Sequence, residues 1–302
     1  MGILPPGPFG RLLVAMVTPF ASDGALDLAG AQQLASTLVD SGCDGLVVSG
    51  TTGESPTTSD DEKDRLLRAV LEAVGDRATV IAGVGTYDTA HTIELSAAAE
   101  KAGAHGLLVV TPYYSRPPQS GLLAHFTEVA GATELPVMIY DIPVRSGVPV
   151  ATETLLRLAE HPRIAAVKDA KGDLAASSRV IAETDLAYYS GDDVMLLPLL
   201  AVGAVGVVSV VGHAFAPQIA ELLSAFDAGD LPRTRAMHQQ LLPAYAGFFR
   251  TQGVITTKAA LNQLGLPGGP VRLPLVDATP AEIETLRADC LAAGLDLSVR
   301  GA

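Results

Sequence analysis

Gly106-Leu107-Leu108-Val109-Val110-Thr111-Pro112, Pro136-Val137-Met138-Ile139-Tyr140-Asp141-Ile142-Pro143 and Ile164-Ala165-Ala166-Val167-Lys168-Asp169-Ala170 are the runs that decide the fold. None alternates apolar with polar residues. Each therefore reads as a strand buried on both faces, the condition of a parallel sheet. Working outward, runs of the same kind recur at residues 12–20, 45–50, 79–85, 187–193 and 206–211. Helical patterns stand between most of them, as at 29–41, 59–74 and 89–102. Eight such units favour a closed (β/α)8 barrel, an α/β fold, over an open sheet. The last two intervals are short, so strands seven and eight carry the thinnest pattern. Beyond strand eight, residues 216–227, 231–249 and 281–293 read as helices. The expected organisation is a barrel over 1–230 and a helical C-terminal extension over 231–302.

The composition agrees. A chain of 302 residues accommodates one barrel of about 250 residues with additions. A net charge of −13 argues against nucleic acid, whose binding depends on neutralising phosphates with Lys and Arg. Two cysteines, Cys43 and Cys290, suit a reducing cytosol and need no disulfide. Residues 1–10 show no basic segment before an apolar run, and Pro5, Pro6 and Pro8 interrupt them, so a cytoplasmic protein without a signal peptide is expected. Residues 194–211 carry no charge and are long enough to raise a membrane helix. Pro198, Gly203 and Gly206 divide that stretch, and its β-branched end reads as a buried strand instead.

In such a barrel the active site forms at the C-terminal ends of the strands. Polar residues collect there: Ser49-Gly50-Thr51-Thr52-Gly53-Glu54 after strand two, Tyr113-Tyr114 after strand four, Tyr140-Asp141 and then Arg145 after strand five, Ser190-Gly191-Asp192-Asp193 after strand seven. Lys168 is the sharpest of them, one of five lysines and the one set inside a strand pattern. Lys63 and Lys101, by contrast, fall on helices with charged neighbours and read as solvated. A buried lysine has a lowered pKa, and a neutral amine can attack a carbonyl. The same position also suits an ion pair with Asp169 or another carboxylate, and position alone leaves both readings open. Tyr140 is within one strand of Lys168 and could carry protons, or be a core residue with a satisfied hydroxyl. Arg145 suits a bidentate grip on a carboxylate, or is a surface arginine. The glycines and threonines around Thr51 could cradle an anion or simply make a turn. Gly83-Val84-Gly85 lacks the third glycine of a dinucleotide fingerprint. Asp169, Asp173, Asp192 and Asp193 could hold a divalent metal, yet no histidine is near them in sequence and loop aspartates more often cap helices; no metal is expected.

Together, Gly50-Thr51-Thr52-Gly53-Glu54-Ser55, Thr111-Pro112-Tyr113-Tyr114, Tyr140-Asp141-Ile142-Pro143 with Arg145-Ser146-Gly147, Val167-Lys168-Asp169-Ala170 and Ser190-Gly191-Asp192-Asp193 resemble the dihydrodipicolinate synthase/N-acetylneuraminate lyase family, pyruvate-dependent class I aldolases. The segments span nearly the whole chain in the family's order. The resemblance implies that Lys168 forms an imine with pyruvate. It implies that Tyr140 moves protons, linked through Thr51 and Tyr114 to solvent, and that Thr52, Gly191 and the backbone near Val208 hold pyruvate. It further implies a tetramer of tight dimers, Tyr114 being donated across the tight interface, and no metal or organic cofactor.

Arg145 favours the synthase branch, which places an arginine there for the carboxylate of L-aspartate-4-semialdehyde. The activity so implied is condensation of that aldehyde with pyruvate to 4-hydroxy-tetrahydrodipicolinate, for lysine and diaminopimelate synthesis. The alternatives are cleavage of a 2-keto sugar acid by the same chemistry, and a catalytically silent barrel kept as a sensor. Two departures from the pattern stand out. Val144 occupies a position often held by glycine. Asp60, Lys63, Tyr87 and His91 occupy the positions at which lysine-inhibited relatives use two histidines, an asparagine and a glutamate, so weak or absent lysine feedback is expected.

Overall fold

The computed structural model describes residues 7–297. The first six residues of the stretch read above for a signal peptide, and the last five of the expected extension, lie outside them. Eight strands, β1 (Leu12–Ala15), β2 (Gly45–Val48), β3 (Thr79–Gly83), β4 (Gly106–Val110), β5 (Val137–Asp141), β6 (Ile164–Asp169), β7 (Ala187–Ser190) and β8 (Gly206–Ser209), close in sequence order into a barrel. All eight pairings are parallel, with β8 returning to β1. The two thinly patterned strands are both present.

The outer layer is α1 (Leu28–Asp40), α2 (Asp60–Val74), α3 (Thr89–Ala102), α4 (Gln119–Gly131), the single turn α5 (Pro143–Ser146), α6 (Thr152–Leu158), α7 (Leu174–Glu183), α8 (Leu196–Ala201) and α9 (Gly212–Asp227). Helices α10 (Leu231–Phe248), α11 (Gly253–Gln263) and α12 (Pro280–Ala292) follow. Their starts are chemically marked. Ser59 with Glu62 and Thr279 with Glu282 form capping boxes on α2 and α12, while Asp27, Asp88 and Asp173 cap α1, α3 and α7.

Three expectations need correction. The run at 12–20 is strand only to Ala15; beyond it the chain turns, and Phe20 bridges back to Leu26. Helix α9 starts at Gly212 rather than at 216, and bends at Phe215 just before Pro217. Helix α11 was not expected at all. It carries Val254-Ile255-Thr256-Thr257, a β-branched run with poor helix propensity, and forms because most of its residues are buried. The uncharged stretch at 194–211 divides into part of a 3-10 turn, α8, and β8. Among the described residues no helix is long and apolar enough to cross a membrane.

The barrel interior is packed by Leu13, Val47, Ile81, Leu108, Met138 and Val208, with Phe9 among them. A larger shell between strands and helices holds Leu34, Leu46, Val70, Val109, Phe126 and Val180. The inner stack leaves polar side chains at its C-terminal end, and there the cavities lie.

Candidate active site

Tyr140 on β5 and Lys168 on β6 are directly paired across the two strands, so both side chains enter the barrel at one level. Lys168 is 4 % exposed, and its Nζ lies 4.1 Å from the centre of the Tyr140 ring. Burial pushes the amine down to about 7, against a smaller pull upward from Asp193. Among the described residues no carboxylate oxygen approaches its Nζ within 4.0 Å. Asp169, the partner the ion-pair reading needs, is committed elsewhere: it accepts from Ser177 Oγ and from the backbone N–H of Lys171 at 2.8 Å. The ion-pair reading of Lys168 is thereby lost. A buried amine facing open space is left.

That space is a cavity of about 500 Å³ lined by Thr51, Thr52, Tyr140, Arg145, Lys168 and Gly191, with α10 and α11 closing its far side. Gly191 is glycine for room. A Cβ there would sit 3.0 Å from Lys168 Cγ and from the Asp169 carbonyl oxygen. Burial raises the Tyr140 hydroxyl to about 12, with Arg145 and the Thr51 side chain opposing, so it is protonated at neutral pH. A second cavity of about 240 Å³ opens beside Tyr140, between Ser49, Thr51, Tyr113 and Arg145. Gly83 borders it because a Cβ would meet the Ser49 carbonyl oxygen at 2.5 Å; this, rather than a nucleotide, accounts for that glycine.

Arg145 rides on α5, which starts at Pro143 and stops at Gly147 in the left-handed region, φ 79°. It is exposed at the mouth of both cavities and has no ion-pair partner among the described residues. Val144 is 86 % exposed, so its side chain is accommodated without displacing the turn.

The dihydrodipicolinate synthetase family model matches residues 8–293. The chain belongs to the dihydrodipicolinate synthetase family. A curated relative from Acidothermus cellulolyticus, named 4-hydroxy-tetrahydrodipicolinate synthase, is 68 % identical over 299 residues, covering 99 % of this chain and 97 % of its own. One from Streptomyces coelicolor, named 4-hydroxy-tetrahydrodipicolinate synthase 2, is 64 % identical over 293 residues, covering 97 % and 98 %. Among solved structures, a DHDPS from Cyanidioschyzon merolae with lysine bound superposes with a TM-score of 0.94 at 42 % identity, covering 96 % of this chain and 99 % of that one.

Within this dihydrodipicolinate synthetase scaffold the expected residues divide. Lys168, Tyr140, Thr51, Thr52, Arg145 and Gly191 meet at one cavity. Tyr114 does not join them in the single chain: it is 94 % exposed, with φ at 71°, a left-handed conformation costly for a side chain of this size. Val208 is fully buried in the barrel interior, and Val210 is the β8-side residue that reaches the cavity. Lys63 is not solvated. Its side chain is only 14 % exposed, donates to the Thr58 carbonyl and lies 3.8 Å from Asp60 Oδ1. The aspartates weighed for a metal have other work: Asp173 caps α7, while Asp193 accepts from Ser209 Oγ and from the N–H groups of Val210 and Val211 at 3.0 and 3.2 Å.

The sequence reading also missed a buried ion pair, Glu54 with Lys258, at 2.6 Å. No local signal joins residues on β2's loop and on a helix that was itself unforeseen.

Proposed function

We propose that the chain condenses pyruvate with L-aspartate-4-semialdehyde, through an imine on Lys168, to give 4-hydroxy-tetrahydrodipicolinate. The observation that carries this reading is a buried, unpaired amine near pKa 7 against a protonated tyrosine, with an unpaired arginine at the mouth. The naming of relatives more than 60 % identical over nearly the full chain supports the same activity.

The chemistry follows from these groups. An amine near pKa 7 is about half neutral at neutral pH, whereas one near 10.5 is almost wholly charged. Neutral Lys168 adds to C2 of pyruvate, and the carbinolamine loses water after its hydroxyl takes a proton from Tyr140. The imine acidifies C3; the Tyr140 phenolate left by the dehydration takes a proton from C3, which gives the enamine and restores the phenol, and the enamine C3 attacks the aldehyde carbon. Tyr140 protonates the resulting alkoxide. The acceptor's own amino group then adds to C2 and expels Lys168, closing the ring and freeing the enzyme. The lysine imine serves as electron sink, so the reading calls for no metal or organic cofactor.

Thr52 and Gly191 border the pyruvate end of the cavity, and Arg145 meets the acceptor's carboxylate. Cleavage of a 2-keto sugar acid would use the same amine but leave that guanidinium without a counter-charge. We further propose that a second copy of the chain brings its Tyr114 toward the cavity beside Tyr140, in a tight dimer that pairs into a tetramer. Tyr114 and Tyr87 are both exposed, and Tyr87 packs edge-on against Tyr113 at 5.4 Å. Two free, buried cysteines fit a cytoplasmic enzyme.

The test is a coupled assay with pyruvate and L-aspartate-4-semialdehyde, following oxidation of reduced nicotinamide cofactor by an added dihydrodipicolinate reductase. Turnover that requires both substrates is expected. Pyruvate-dependent borohydride trapping without turnover would retain the imine and overturn the acceptor.

A further inference from the structure

The loop that carries Thr51 and Thr52 is gripped from behind by α11 and by the segment that joins it to α12. Glu54 ends this loop in the left-handed region, φ 56°, where a non-glycine residue persists only if its surroundings hold it. Its N–H bonds to the Thr51 carbonyl at 3.2 Å, and Ser55 N–H bonds to Gly50 at 3.2 Å, so the whole stretch is one tight turn. Glu54 lines neither cavity, and its carboxylate is buried. Oε1 meets Lys258 Nζ of α11 at 2.6 Å; Oε2 accepts from the Arg272 backbone N–H at 2.9 Å. Lys258 Nζ also donates to the Pro270 carbonyl at 2.7 Å and lies 4.2 Å from the centre of the Phe20 ring. The Arg272 guanidinium covers the same ring at 4.0 Å, donates to the Thr57 carbonyl at 2.8 Å and pairs with Glu62 at 2.6 Å. Both cations thus hold the turn at its far end, one from inside and one from the partly exposed side. The same helix presents Gly253 and Val254 to the cavity.

A buried ion pair of this kind adds little net stability, because desolvation of both charges offsets their attraction; what it fixes is geometry. We propose that Lys258 is a positioning residue for pyruvate: acting through Glu54, it sets the turn that places Thr51 and Thr52 at the cavity, so that the C-terminal extension completes the keto-acid end of the site. This rests on the pyruvate reading above. It assigns a role to helices after residue 230 that barrel chemistry alone does not need.

The test uses the full chain. Lys258→Met keeps the stem and removes the charge; Glu54→Gln with Lys258→Met also removes the carboxylate that would otherwise be left buried and unpaired. Two quantities are read: the pyruvate concentration for half-maximal borohydride trapping on Lys168, and the two KM values in the coupled assay. Both pyruvate values should rise about tenfold or more, the scale set by small misplacements of binding groups, while the aldehyde KM moves less than about threefold. A purely structural clasp would lower Tm without that split. An unchanged pyruvate half-saturation in the folded double variant, or equal rises in both KM values, overturns the proposal. Should neither variant fold, Arg272→Gln loosens the same turn from outside, and an unchanged pyruvate half-saturation there overturns it equally. Failure of the unaltered protein to be trapped by pyruvate would instead remove the Schiff-base reading, and this inference with it.

Discussion

Lys168 Nζ stands 4.1 Å from the ring centre of Tyr140, its direct partner across β5 and β6. One strand pairing therefore sets a nucleophile and a proton donor side by side at a single level of the barrel. Burial drives their pKa values apart, the amine down to about 7 and the phenol up to about 12. Each ends in the neutral form its proposed step requires.

The first consequence is a pH profile. The neutral amine is the reactive form, and its fraction grows as pH rises through about 7. kcat/KM for pyruvate should climb about tenfold per unit below that point and level off above it. A profile still climbing toward pH 10 would show that Lys168 is not desolvated in solution.

The same burial has a stability cost with a definite sign. Unfolded, Lys168 titrates near 10.5; folded, near 7. Between these values the unfolded chain binds more protons, so this group's contribution makes the fold more stable as pH rises across the window, and its full cost persists below it. Lys168→Met should abolish borohydride trapping yet raise stability at pH 7, because it removes the cost of burying a protonatable amine, about 1.4 kcal/mol for each unit by which burial lowers its pKa. Denaturant unfolding of the two proteins checks it; a less stable variant would contradict the sign.

How far the sequence reveals this site depends on how local each cause is. Continuous apolar runs mark the strands, because burial on both faces leaves no polar position, and an isolated lysine within one of them is conspicuous. The unpaired state of Lys168 is not legible. Alternation along β6 already turns Asp169 away from Lys168, toward Ser177 of α7; what the sequence leaves open is whether a carboxylate from another element, such as Asp193, pairs with the amine. Lys63 misleads for the opposite reason: charged neighbours along α2 suggest solvent, but its stem folds back onto Thr58. Helix α11 is concealed by its own β-branched residues, and with it Lys258.

Tyr140→Phe keeps the ring that packs on Lys168 and deletes only the hydroxyl. Turnover should fall by about 10²–10⁴ with the fold intact. Near-normal turnover would remove Tyr140 from the proton path.

Arg145→Ala should act on one substrate. Arg145 is exposed and without an ion-pair partner among the described residues, whereas Lys168, which would hold pyruvate in the same cavity, is buried. Loss of a charge-assisted hydrogen bond, about 1.5–3 kcal/mol, corresponds to a rise of roughly ten- to a hundredfold in the KM for L-aspartate-4-semialdehyde. The KM for pyruvate should stay within about threefold. Indifference of the aldehyde KM would point to a neutral acceptor and revive the sugar-acid alternative.

Lysine feedback should be weak or absent, and the structure gives the reason more exactly than residue identities could. Asp60 is engaged on both sides: Oδ2 meets His91 Nε2 at 2.9 Å, and Oδ1 lies 3.8 Å from Lys63 Nζ. The one carboxylate of this set thus already has its cation, and Lys63 is anchored to Thr58. A lysine ligand would bring a second ammonium to a group that is neutralised from within, next to a fixed positive charge with little room to withdraw. Steady-state assays with millimolar L-lysine should show little change. Strong inhibition below the millimolar range would mean that the Asp60–Lys63 contact opens, and Lys63→His, which removes the fixed ammonium, should then leave inhibition unchanged rather than strengthen it.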